Sequence, residues 1–74
     1  MADKTLDIKG VNEPVPLLRT KKILGTMAAG EVLAVEATDP DTVKNFSSFC
    51  RQTGHELLES TEENGVFKFL IKRS

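Results

Sequence analysis

The chain has 74 residues, a net charge of −1, 39% apolar residues, four Phe and neither Trp nor Tyr. That length supports one thin core, hence one domain spanning 1–74, and the near-neutral charge argues against direct contact with nucleic acid or a membrane surface, which call for a clustered basic field. One Cys and one His exclude an intramolecular disulfide and a four-ligand zinc site, and no apolar stretch approaches a membrane span.

In chain order, Thr5 to Lys9 alternates, with Leu6 and Ile8 on one side and Asp7 and Lys9 on the other, which predicts a short half-buried strand ending at Gly10. After a loop from Gly10 to Glu13, the residues from Pro14 to about Ala29 place Leu17, Thr20, Leu24 and Met27 on one helical stripe, with Arg19, Lys22 and Thr26 facing away. Pro14 and Pro16 suit a first helical turn, where a missing N–H costs nothing; Gly25 weakens the helix and Gly30 ends it. Glu13 then lies at or beside the N-cap. Its carboxylate is placed where unpaired N–H groups and the positive end of the helix dipole favour an anion.

Glu31 to Thr38 contains the apolar run Val32-Leu33-Ala34-Val35 and predicts a second strand, parallel to the first across the helical connection. Asp39-Pro40 is a helix start, with Asp39 capping and Pro40 in the first turn. Val43, Phe46, Phe49 and Cys50 line one face of that helix, Lys44, Ser48 and Arg51 the other, and Gly54 stops it. His55 to Ser60 reads as a third strand. Asn64-Gly65 is the signature of a type I′ hairpin, and Val66 to Lys72 closes the chain with Phe67, Phe69 and Ile71 inward and Lys68 and Lys72 outward. The order β-α-β-α-β-β predicts an α/β (α+β) two-layer sandwich: a four-stranded mixed sheet with two helices on one face.

These residues resemble the TusA/SirA-like small sulfur carriers, whose members begin with a pattern of the form Leu-Asp-x-x-Gly-Leu-x-Cys-Pro-x-Pro followed by a basic helix. Here that stretch is Leu6-Asp7-Ile8-Lys9-Gly10-Val11-Asn12-Glu13-Pro14-Val15-Pro16, with Arg19, Lys21 and Lys22 after it. The similarity continues through Gly30-Glu31-Val32-Leu33, Thr38-Asp39-Pro40 and Phe49-Cys50-Arg51-Gln52-Thr53-Gly54-His55-Glu56-Leu57-Leu58. The resemblance implies a two-layer sandwich that relays sulfane sulfur as a persulfide on the cysteine before the first Pro. It also implies a cysteine desulfurase or rhodanese-like donor and a downstream acceptor protein, in tRNA thiolation, cofactor synthesis or sulfur oxidation. Glu13 stands in the place of that cysteine. A thiol at a helix N-terminus gains thiolate character and becomes a nucleophile, whereas a carboxylate has no sulfur on which to build a persulfide.

The candidate site is therefore Glu13 itself, with Asn12, Pro14 and Pro16 shaping the loop and helix start, and with Arg19, Lys21 and Lys22 as docking charges, Lys9 extending that patch. For Glu13 the plainer alternative is a capping carboxylate with no chemistry. For the three basic residues it is the solvated face of an amphipathic helix. Cys50 lies on an apolar stripe, as a structural thiol does, and His55 after Gly54 reads as a strand-start residue. No cofactor or metal is expected. A reducing cytoplasm fits the lone thiol and a start, Met1-Ala2-Asp3-Lys4, without an apolar signal region, and a monomer is expected. The rival function is a non-enzymatic interaction or regulatory module that docks through the Glu13 helix terminus and the basic helix face. A small RNA-binding domain is disfavoured by the charge and by the lack of aromatics at stacking positions.

Overall fold

Residues 2–74 are described by a computed structural model. The elements are β1 (Lys4–Ile8), α1 (Val15–Leu24), β2 (Val32–Ala37), α2 (Asp41–Thr53), β3 (Glu56–Glu63) and β4 (Val66–Lys72). The strands form one sheet in the order β1-β2-β4-β3. β1 and β2 are parallel, with Leu6 beside Val35, and the β2–β4 and β4–β3 pairs are antiparallel. This is the α+β architecture expected from the alternation of periods.

The alternating positions decide the layers. Leu6 and Ile8 of β1, Leu33, Val35 and Ala37 of β2, and Phe69 and Ile71 of β4 point to one side and are buried there against Leu24, Met27, Phe46, Phe49 and Cys50. Each large side chain fully buried in this way is worth about 1.5–3 kcal/mol. Phe46 of α2 rests on Phe69 of β4 with ring centroids 4.6 Å apart, which ties the helical layer to the centre of the sheet. Phe67, like Leu17, Ile23 and Leu57, is half-buried against this core.

Among the described residues no helix packs on the other face of the sheet. There Asp7, Glu36 and Lys68 lie side by side across three strands. Lys9 Nζ stands 3.0 Å from Asp7 Oδ2 and 2.8 Å from Glu36 Oε1, with Lys68 Nζ 4.0 Å from Glu36 Oε2. The two lysines offset what would be a like-charge pair of neighbours, although pairs this exposed contribute little to stability. Lys9 is thus engaged on the open sheet face and does not extend the basic surface of α1.

Several features differ from the sequence expectation. α1 ends at Leu24 and does not continue to Ala29. The Gly25 N–H still reaches the Lys21 carbonyl at 3.0 Å, but the next two donors, on Thr26 and Met27, turn back to Ile23 and Leu24 in tighter three-residue turns that end the α-helical run. In α2 the buried residue of the first turn is Thr42, fully enclosed, while Val43 is exposed. The Thr42 hydroxyl donates to the Asp39 carbonyl at 2.7 Å, so this β-branched residue enters the interior with its polar atom satisfied. β3 starts at Glu56, one residue after His55, and runs on to Glu63 because it pairs along the whole of β4, with an irregularity between Leu57 and Glu59. β1 is shifted one residue toward the N-terminus, to Lys4–Ile8. The hairpin is as expected: Asn64 and Gly65 both have positive φ, 54° and 81°.

Candidate functional site

The connection from β1 to α1 is fastened to the connection from β2 to α2. Gly10, at φ 81°, makes the bend out of β1 and donates its N–H to Thr38 Oγ1 at 2.8 Å. Val11 N–H reaches the Ile8 carbonyl at 3.3 Å, and Glu13 N–H donates to Asp39 Oδ2 at 2.8 Å. The other Asp39 oxygen accepts the Asp41 N–H at 3.0 Å, at the start of α2. α2 begins at Asp41 with Pro40, not Asp39, in the N-cap position, so Asp39 stands one residue earlier than the sequence suggested, and its one carboxylate bonds both the first residue of α2 and the Glu13 backbone. The two N–H donors, that of Glu13 foremost and then that of Asp41, hold the Asp39 carboxyl below its ordinary range.

Pro14, joined to Glu13 by a cis peptide bond, occupies the N-cap position of α1, which puts Glu13 one residue before it. The first turn of α1 is not open. Val15 N–H goes to the Asn12 carbonyl at 3.2 Å, Pro16 has no N–H, and Leu18 N–H goes to the Pro14 carbonyl at 3.0 Å. The remaining donor, Leu17 N–H, goes to Glu13 Oε1 at 3.0 Å. Glu13 thus folds its own side chain over the helix end and closes it. Its second oxygen, Oε2, accepts from Asn45 Nδ2 of α2 at 3.0 Å. The half-buried carboxylate is held by two donors from two helices, and its backbone N–H is held by a third segment.

The structure separates the other candidates. Asn12 is exposed and contributes its carbonyl, and Pro16 is buried under the first turn. Arg19 and Lys22 are exposed on the outer side of α1, whereas Lys21 leans the other way, its Nζ 5.5 Å from the centre of the Phe49 ring. Lys21 lines a shallow groove of about 140 Å³ between the helices, together with Leu17, Asn45, Ser48, Phe49 and Gln52. Cys50 is buried, and burial pushes its thiol up, away from nucleophilic character. His55 Nδ1 accepts the Ser74 N–H at 3.0 Å; burial, then the nearby charge of Arg73, lowers its pKa.

Sequence reasoning missed two kinds of residue here. Asn45, the second holder of Glu13, lies 32 positions away. Val15 and Leu18, 42% and 56% exposed, share the outer face of α1 with Arg19 and Lys22. The spacing i, i+3, i+4, i+7 was a signal for that face, because two apolar residues there lie off the buried stripe. Among the described residues, no group of three or more His, Cys, Asp or Glu side chains is placed to hold a metal ion, and no helix is long and apolar enough to cross a membrane. The arrangement at Glu13 gives each carboxyl oxygen one donor. Among the described residues no titratable side chain is hydrogen-bonded to that carboxyl.

Comparison with known proteins places this geometry in a lineage. The family model described as Sulfurtransferase TusA matches residues 4–73. The sulfur carrier protein TusA of Allochromatium vinosum is 57% identical over 72 residues, which cover 97% of this chain and 95% of that protein. A putative sulfur carrier protein of Neisseria meningitidis serogroup A is 47% identical, covering 97% of each. The crystal structure of a SirA-like protein from Desulfitobacterium hafniense superposes with a TM-score of 0.83 at 28% identity, covering 93% of this chain and 95% of that one. Two helices on a four-stranded mixed sheet, matched by sequence over almost the full length, establish that the chain belongs to the TusA sulfurtransferase family.

Proposed function

We propose that this chain is a TusA-type sulfur-carrier domain in which Glu13 takes the position of the persulfide-bearing cysteine, so that it docks as a carrier does and transfers no sulfur. The observation that carries the reading is the seat of Glu13: an anion held by Leu17 N–H at the start of α1, in the loop that the resemblance assigns to the reactive group. The environment suits a thiolate for the same reasons that it suits a carboxylate, but only sulfur forms the S–S bond that stores the cargo. The one native thiol, Cys50, is buried in the core and is no substitute.

Docking falls to the surface around the site. Both Glu13 oxygens already accept internal hydrogen bonds, so a partner meets Val15 and Leu18 first, with Arg19 and Lys22 beside them. An exposed apolar pair flanked by cations suits a partner with an apolar patch rimmed by carboxylates. The partners that fit the family are a cysteine desulfurase or rhodanese-like donor and a downstream acceptor, serving tRNA thiolation, cofactor synthesis or sulfur oxidation in the cytoplasm, with the domain acting as a monomer.

Intact mass after incubation with a sulfane-sulfur donor tests the chemistry. The parent gains no sulfur, and Glu13→Cys in a Cys50→Ala background gains one. Failure of that variant to gain sulfur, with its fold intact by circular dichroism, refutes the assignment of position 13.

A further inference from the structure

The donors around Glu13 meet the outermost atoms of its side chain, Leu17 N–H at Oε1 and Asn45 Nδ2 at Oε2, each at 3.0 Å. Resting on the reading of position 13 above, we infer that Glu13 holds the place of a persulfide's terminal sulfur, with Leu17 N–H and the Asn45 amide as the two donors built to receive that sulfur. A cysteine Sγ lies one bond beyond Cβ. The oxygens that meet Leu17 and Asn45 lie three bonds beyond it. A terminal sulfur, one S–S bond of about 2.05 Å past Sγ, reaches about as far from Cβ as a glutamate oxygen does. Both groups also end in a single negative charge, which favours donation from an amide and from a helix N-terminus.

The second donor makes this more than a helix end. Asn45 is on α2, half-buried in the groove between the helices, and among the described residues its side chain makes one hydrogen bond, to Glu13 Oε2. An amide that spans from α2 to meet an anion anchored before α1 is matched to the longer side chain. A bare Sγ stops short of it. The chain therefore keeps the reach and the charge of the loaded state permanently, and a partner that recognises loading by the anion between α1 and α2 meets this protein as a carrier already charged.

Amide resonances read the contact directly. In ¹⁵N spectra the Leu17 backbone N–H and the Asn45 side-chain NH₂ are followed in the parent and in Glu13→Cys/Cys50→Ala, before and after loading with inorganic polysulfide. In the loading step the variant's thiolate attacks a polysulfide sulfur, forms the S–S bond and releases a polysulfide one sulfur shorter. The reduced variant shifts both signals away from the parent positions, and loading returns both most of the way. A loaded variant, verified by mass, whose Asn45 signal stays at its reduced position overturns the inference while leaving the carrier reading intact; a variant that takes up no sulfur overturns both. A second readout separates contact from mere support of the fold. Adding Asn45→Ala to the loaded variant raises the pH midpoint for alkylation of the terminal sulfur by about one unit, the value of one charge-assisted bond. An unchanged midpoint removes Asn45 from the site.

Discussion

Truncating Glu13 to Ala removes two acceptors in one step and tests whether the carboxylate fastens the fold. Oε1 leaves the Leu17 N–H, the sole first-turn donor of α1 with no backbone partner, and Oε2 leaves the Asn45 amide. Loss of a helix-terminal acceptor costs about 1 kcal/mol. Loss of the bond from Asn45 costs about 1 kcal/mol more, and not the larger penalty of a fully buried orphan, because the site is half open to water. The backbone bond from Glu13 N–H to Asp39 survives in the Ala variant, so the loop keeps its path. The total of about 2 kcal/mol corresponds to a fall in Tm of about 8–16 °C for a domain of this size. Urea titration with an unchanged m value measures it. Asn45→Ala alone costs about 1 kcal/mol, and in the Glu13→Ala background almost nothing, a coupling of about 1 kcal/mol between residues in direct contact. A Glu13→Ala protein within about 0.3 kcal/mol of the parent, or single effects that simply add, would show the carboxylate to be a solvated group and refute this account of the site.

Three further outcomes follow from other parts of the structure. Thr20 is fully buried and its Oγ1 has no hydrogen-bond partner among the described residues, so Thr20→Val, which keeps the shape and removes the orphan, stabilises the domain by about 1 kcal/mol in the same titration. The Cys50 thiol, enclosed in the core, reacts with a disulfide reagent such as Ellman's only as fast as the domain opens; addition of denaturant accelerates labelling, and rapid labelling in native buffer contradicts its burial. His55 has a pKa lowered below its ordinary 6.5, by burial first and by Arg73 second. As pH falls below 6.5 the unfolded chain binds a proton that the folded one resists, so stability declines until the lower folded value is passed. Thermal melts between pH 7 and pH 5 show that decline in the parent and a smaller one in His55→Gln.

Much of the fold could be read in the residues because local rules and tertiary packing agree there. Leu6 and Ile8, and Phe69 and Ile71, alternate and are buried as the strand period requires. Gly54 ends α2 in the left-handed conformation at φ 84°, and Asn64-Gly65 makes its turn for the same steric reason. The misses come where two local answers are nearly equal. Thr42 and Val43 are adjacent β-branched residues a third of a turn apart, and the seating of Phe46 on Phe69 decides which of them faces inward. Lys21 and Lys22 present the same choice, settled by the Phe49 ring beneath Lys21.

The site divides in the same way. Sequence alone determined that a carboxylate stands before two prolines at the start of α1, in a pattern that resembles a sulfur carrier's, because caps, prolines and motif spacing act over a few residues. Only the tertiary structure decided what holds that carboxylate. Asp39 grips its backbone from 26 positions away and Asn45 its side chain from 32, contacts that exist because β1 and β2 lie side by side and α2 packs next to α1. Such pairings have no local signature. They arise when the core closes and brings a loop and a helix face to one place.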